Sequence, residues 1–155
     1  ERAIHERYAP SKRNPFNEVE CGDHYARAMA SYGVFLAACG FELHGPKGHL
    51  GFAPRLAPEK FRAAFTAPEG WGSYAQAIDA TKNLTARLEL RHGKLHLGTL
   101  RIGHAGKAEP SRLSATLGER DIACTLEVEA GAFLVRFGES LALVAGDILT
   151  VVGHR

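Results

Sequence analysis

Between about Gly22 or Asp23 and Cys39, the apolar side chains Tyr25, Ala28, Met29, Tyr32, Phe35, Leu36 and Cys39 recur at three- and four-residue spacing. That period predicts a helix with one face in a core. Gly40 is placed to adopt the left-handed conformation that ends a helix, and Pro15 with Asn17 favours a turn before it begins. Asn17 and Glu20 also imitate a capping box, which would start the helix at Glu18 and bury Gly22 inside it at a cost of about 1 kcal/mol relative to alanine. The later start is preferred. From Gly40 to Gly72 the chain is rich in Gly and Pro and reads as an irregular loop, interrupted by one short helix near Pro58 to Phe65. Pro58 suits a first helical turn, and Glu59 complements the positive helix end.

From about Tyr74 the period changes to two. Leu84 to Arg91 alternates apolar and polar residues, His92-Gly93 reads as a turn, and Lys94 to Ile102 alternates again, which together predict a β-hairpin. Further short runs follow at Arg112–Leu117, Ile122–Glu129, Ala132–Phe137, Ser140–Val144 and Ile148–Val152, separated by Gly118, Gly131, Gly138 and Gly146-Asp147. Such spacing belongs to an antiparallel sheet or sandwich. Helix first and strands afterwards, without βαβ alternation, predicts an α+β fold. One long helix and a short one would occupy residues 1–75, followed by an antiparallel β region over residues 76–155.

The composition narrows the function classes. In 155 residues, 45% apolar content supports a real core, and 19 basic against 17 acidic residues are scattered without the stripe expected of a phosphate-backbone binder. Nucleic acid is not an expected partner. Cys21, Cys39 and Cys124 are odd in number and show no CxxC spacing, so they read as small hydrophobes in a reducing, cytoplasmic setting. No apolar run reaches the roughly 18 residues that suggest a transmembrane helix, and the N-terminus lacks the layout of a signal peptide. A chain opening on Glu1 without methionine is expected to be a piece of something longer. Asn83-Leu84-Thr85 fits a glycosylation acceptor, a triplet that also arises by chance.

Glu18, Glu20, Asp23, His24 and Arg27 form the densest polar constellation. A carboxylate and a guanidinium directed into a small pocket can grip sugar hydroxyls, the first accepting and the second donating several hydrogen bonds. The plainer reading is an acidic helix start, with Asp23 and Arg27 as a surface pair worth a few tenths of a kcal/mol. Nine residues of continuous helix turn through about 900°, so Glu18 and Arg27 reach one pocket only if Glu18 sits in the preceding turn. His44 and His49 invite a metal reading, but a third and fourth ligand are missing, and loop histidines bonded to backbone are expected instead. Trp71, with Phe65 and Tyr74, could offer a sugar-stacking platform; sealing the joint between the helical and strand regions is the expected role. Ser31 and Ser73 lack the G-x-S-x-G elbow of a hydrolase nucleophile. No metal or cofactor is implied.

The stretch from Lys12 to about Gln76 carries Asn-Pro-Phe-Asn-Glu at 14–18, Glu-Cys-Gly-Asp-His-Tyr-Ala-Arg at 20–27, Gly-Pro-Lys-Gly-His at 45–49 and Glu-Gly-Trp-Gly at 69–72. In this order the segments resemble the C-terminal part of the β-glucosidases and non-lysosomal-type glucosylceramidases of glycoside hydrolase family 116. The resemblance is looser beyond Gln76. It implies that Asp23 to Cys39 is a late helix of an (α/α)6 barrel with the strand-rich remainder on or beside it. It further implies a retaining β-glycosidase, whose nucleophile and acid/base stand about 5 Å apart and lie upstream of the matched region. Glu18 and Arg27 then correspond to residues that hold the glucosyl hydroxyls, with no catalytic residue in this chain. The implied partners are a β-glucoside or glucosylated lipid and the remainder of the catalytic domain. The alternative is a non-catalytic carbohydrate-binding or structural β module.

Overall fold

The computed structural model describes Arg2, Glu6, residues 28–108 and residues 110–154. These belong to two compact units, residues 1–35 and residues 36–155. Helix α1 spans Ala28–Cys39. Within the first unit Tyr32 and Phe35 stack on each other at 6.0 Å, and both rings remain exposed. At the C-terminal end, Gly40 takes a positive φ of 56° and closes the last turn, as the sequence predicts. The expectation that one face of this helix is core fails at Tyr32 and Phe35; among the described side chains of that face Cys39 alone is buried.

The second unit is built of ten strands: β1 (Glu42–His44), β2 (His49–Phe52), β3 (Lys60–Ala67), β4 (Gly70–Ile78), β5 (Leu84–Gly103), β6 (Arg112–Leu117), β7 (Arg120–Asp121), β8 (Cys124–Glu129), β9 (Ala132–Val144) and β10 (Ile148–His154). The α+β class is therefore overturned. Among the described residues the protein is predominantly β with one short helix, not the long helix plus short helix that the sequence pattern suggested, and the barrel-helix reading that the resemblance implied falls with it. Where a helix was expected near Pro58 to Phe65, Pro58 and Glu59 form a turn, and Phe61, Ala63 and Phe65 point inward along β3 with period two. Three strands and the start of a fourth occupy the region from Gly40 to Gly72 that reads as a loop.

Strand β5 organises the whole unit. Its 20 residues are one continuous strand, whereas the sequence predicts a hairpin. The first half pairs antiparallel with β4 on one side and β10 on the other, giving a layer in the order β3-β4-β5-β10-β6-β7. The second half pairs antiparallel with β9 and parallel with β2, giving a layer in the order β1-β2-β5-β9-β8. The two layers close on a single core. Phe52 of one lies flat on Tyr74 of the other, with ring centroids 3.9 Å apart and planes within 2°. The result is a β-sandwich whose layers are joined through one bent strand.

The bend has a physical origin at Gly93. Leu84, Ala86, Leu88 and Leu90 face the core; after Gly93 the inward positions become Leu95 and Leu97, and after Gly98 they return to Leu100 and Ile102. Each change of phase marks one irregularity in strand pairing, between Trp71 and Gly72 opposite the first and between Leu97 and Thr99 at the second. Gly93 has φ of 77°, and a Cβ there would stand 1.9 Å from the Glu69 carbonyl oxygen. Only glycine fits this conformation at so close an approach.

Candidate functional site

Glu18 and Arg27, with Glu20, Asp23, His24 and Cys21, lie outside the described residues. The question of whether Glu18 and Arg27 reach one pocket lies with them.

Parts of two of the segments quoted for the resemblance, Gly45–His49 and Glu69, are brought together by the sandwich. The turn Gly45–Lys47 between β1 and β2, and the turn between β3 and β4, open on a common cavity of about 250 Å³. Its walls are Leu43, Gly45, Pro46 and His49 on one side and Ala67, Pro68, Glu69, Lys94, Leu95 and His96 on the other. Glu69 is the sole carboxylate in that wall, so the cavity cannot supply the acid and nucleophile pair that retaining glycoside hydrolysis requires.

His49 stands at the rim of this cavity and is held on both sides. One ring nitrogen, Nδ1, lies 2.8 Å from the Thr99 hydroxyl, and Nε2 lies 3.4 Å from Glu42 Oε2. Glu42 in turn accepts from Arg101 Nη1 at 3.2 Å, and Arg101 donates through Nε to Glu129 at 2.8 Å. This ladder crosses the outer face of one layer from β1 to β8. His44, the registered neighbour of His49 across β1 and β2, is exposed. Among the described residues no three His, Cys, Asp or Glu side chains converge as a metal site would require.

Trp71 does not share a platform with Phe65 and Tyr74. Phe65 and Tyr74 point into the core, while Trp71 stands on the opposite face of β4, 48% exposed, with its ring stacked at 6.2 Å on His92 of β5. The reason lies in its neighbours. A Cβ at Gly72 would come within 2.1 Å of the Glu89 carbonyl oxygen, and one at Gly70 within 2.5 Å of that of His92. The two glycines thus face the close approach of β4 to β5, and strand alternation turns Trp71 outward. Farther along the same face, Arg62, Ser73, Ala75, Arg87 and Glu89 line a shallow cavity of about 180 Å³. Arg91 and Arg87 approach Glu89 at 3.2 and 3.9 Å.

A concavity of about 400 Å³ lies beside Arg120, Asp121, Ile122, Ala123, Gly138, Glu139 and Leu141. Asp121 and Glu139 are both exposed to water.

A buried polar cluster escaped the sequence reading. Tyr74, wholly buried, donates its hydroxyl to Gln76 Oε1 at 2.6 Å, and Gln76 Nε2 donates to the carbonyls of Pro58 at 2.7 Å and Gly103 at 3.1 Å. Burial pushes the Tyr74 phenol far above its ordinary value, so it stays a neutral donor. A glutamine at an inward position of the alternating run Trp71 to Ala77 was the available signal. Cys39 and Cys124 are free thiols, each shifted upward by burial, which makes them poor nucleophiles. Asn83 is engaged by Asp79 Oδ2 at 3.3 Å and Thr81 Oγ1 at 2.8 Å.

Comparison with protein-family models, curated proteins and solved structures yields no match to this chain. Among the described residues no helix is long and apolar enough to cross a membrane.

Proposed function

We propose that this chain is the C-terminal portion of a retaining β-glucosidase or glucosylceramidase-like enzyme, in which Glu18 and Arg27 hold the hydroxyls of the terminal glucosyl residue. The observation that supports the reading is that Gly45, Pro46 and His49 of one resembling segment and Glu69 of another line one cavity although about twenty residues separate them. Short motifs that meet in space are motifs under a common structural demand. The described cavity has one carboxylate. On the resemblance, the nucleophile and acid/base belong to the rest of the enzyme, and the isolated chain is a substrate-binding portion without turnover. The substrate is a β-glucoside or glucosylated lipid, and the free thiols Cys39 and Cys124 support a reducing, cytoplasmic setting.

The test uses the intact enzyme and the chain by itself. Glu18→Gln and Arg27→Ala in the intact enzyme each remove charge-assisted hydrogen bonds worth about 1.5–3 kcal/mol, so kcat/KM for an aryl β-glucoside falls about 10- to 100-fold. Unchanged kcat/KM dismisses the glycone role. The chain alone gives no turnover of the same substrate; turnover that disappears in Glu18→Ala overturns the placing of the catalytic pair elsewhere.

A further inference from the structure

We infer that the outer face of β3, β4 and β5 is a second carbohydrate-binding surface, shaped for an extended β-linked glucose oligosaccharide. Its first element is the exposed indole of Trp71, backed by the His92 ring at 6.2 Å and set in place by the glycines on either side. A glucopyranose with all its hydroxyls equatorial has an apolar C–H surface above and below the ring, which stacks on an indole face and buries area there.

The second element lies along the same strand. Ser73 and Ala75 follow Trp71 at alternate positions, so about 13 Å of β4 runs from the indole across a floor of small side chains. Arg62 on β3 and Arg87 with Glu89 on β5 rise on either side of that floor. Guanidinium groups donate and a carboxylate accepts at the rim of a flat sugar, where its equatorial hydroxyls project. Among the described residues Arg62 has no ion-pair partner, and Glu89 is fixed by Arg91 at 3.2 Å. A stacking ring followed by a flat polar trough suits a ribbon-like β-1,4 chain; an α-1,4 chain coils away from a flat face.

Trp71 is the only tryptophan, so its emission reports on this face alone. Titration of the whole chain with cellotetraose is expected to give a saturable emission change, with maltotetraose much weaker. By calorimetry, Trp71→Ala and Arg87→Ala, both exposed substitutions that leave the circular dichroism intact, each weaken cellotetraose association about tenfold, while Arg136→Ala, on the other layer, leaves it unchanged. The inference is overturned by the absence of saturable binding, by equal affinity for maltotetraose, by full affinity in Trp71→Ala, or by an equal loss in Arg136→Ala.

Discussion

Tyr74 and Gln76 are the residues on which the joint between the two layers depends. The phenol fills the space under Phe52, and its hydroxyl is satisfied only by Gln76, whose amide nitrogen ties the turn at Pro58 to the end of β5. Tyr74→Phe keeps the ring and leaves a buried amide oxygen short of a donor, so denaturant unfolding should show a loss of about 1–3 kcal/mol. The same residue sets an alkaline limit. Its folded-state value is raised above the ordinary 10.0, so its contribution is fully present below about pH 10 and is lost as pH rises further. Tyr74→Phe should therefore lose less stability than the parent chain on passing above about pH 10, and an equal loss in both would refute this.

Asp79 works with the opposite sign. Its carboxylate accepts from the Thr81 hydroxyl at 2.6 Å and from the backbone of Thr81 and Asn83, and the Thr81 hydroxyl above all holds it below the usual carboxylate range. The stabilisation is present above the ordinary carboxylate value and disappears as pH falls through the lowered one. Asp79→Ala should lower the unfolding temperature at neutral pH, with the difference from the parent shrinking in acid. A difference that persists unchanged in acid would show that the turn does not depend on this charge.

At the scale of the element, β5 decides the fold through Gly93. Alanine there meets both a left-handed φ and the Glu69 carbonyl, so Gly93→Ala should cost about 3–5 kcal/mol by chemical denaturation. Gly118 also has positive φ, at 59°, but open space around it. Gly118→Ala should cost only about 1–2 kcal/mol. Equal costs at the two positions would remove close approach as the reason for Gly93. This contrast also explains what could be read from the chain. Arg112–Leu117 alternates and is a strand, and Gly118, Gly131 and Gly146 do mark turns. A slip in the period of two at His92-Gly93, by contrast, is equally the mark of a hairpin turn and of a bend within one strand, and only the partners of the strand distinguish them. Near Pro58 the period of two was present in Phe61, Ala63 and Phe65, but a proline followed by glutamate signals a helix start and a turn alike. Trp71 turned outward because its flanking glycines answer to the backbone of β5, a demand made by a neighbour rather than by the local run.

For the molecule as a whole, the sandwich gathers the Gly45–His49 and Pro68–Glu69 segments at one cavity and displays Trp71 on the outer face of one layer. Neither place holds a pair of carboxylates directed at a common point. Under the proposed function, the chain binds and positions sugar and the bond-breaking groups belong to the remainder of the enzyme. Glu18 and Arg27 carry that expectation through the chemistry of their side chains, acceptor and donor for vicinal hydroxyls. The most direct measurement is a double-mutant cycle in kcat/KM for an aryl β-glucoside, with Glu18→Gln, Arg27→Ala and the pair made in the intact enzyme. Two residues on one glucosyl ring should each lower kcat/KM and be coupled by about 0.5–3 kcal/mol, so that the double variant departs from the sum of the singles. Single variants that leave kcat/KM unchanged, or losses that simply add, would contradict a shared sugar.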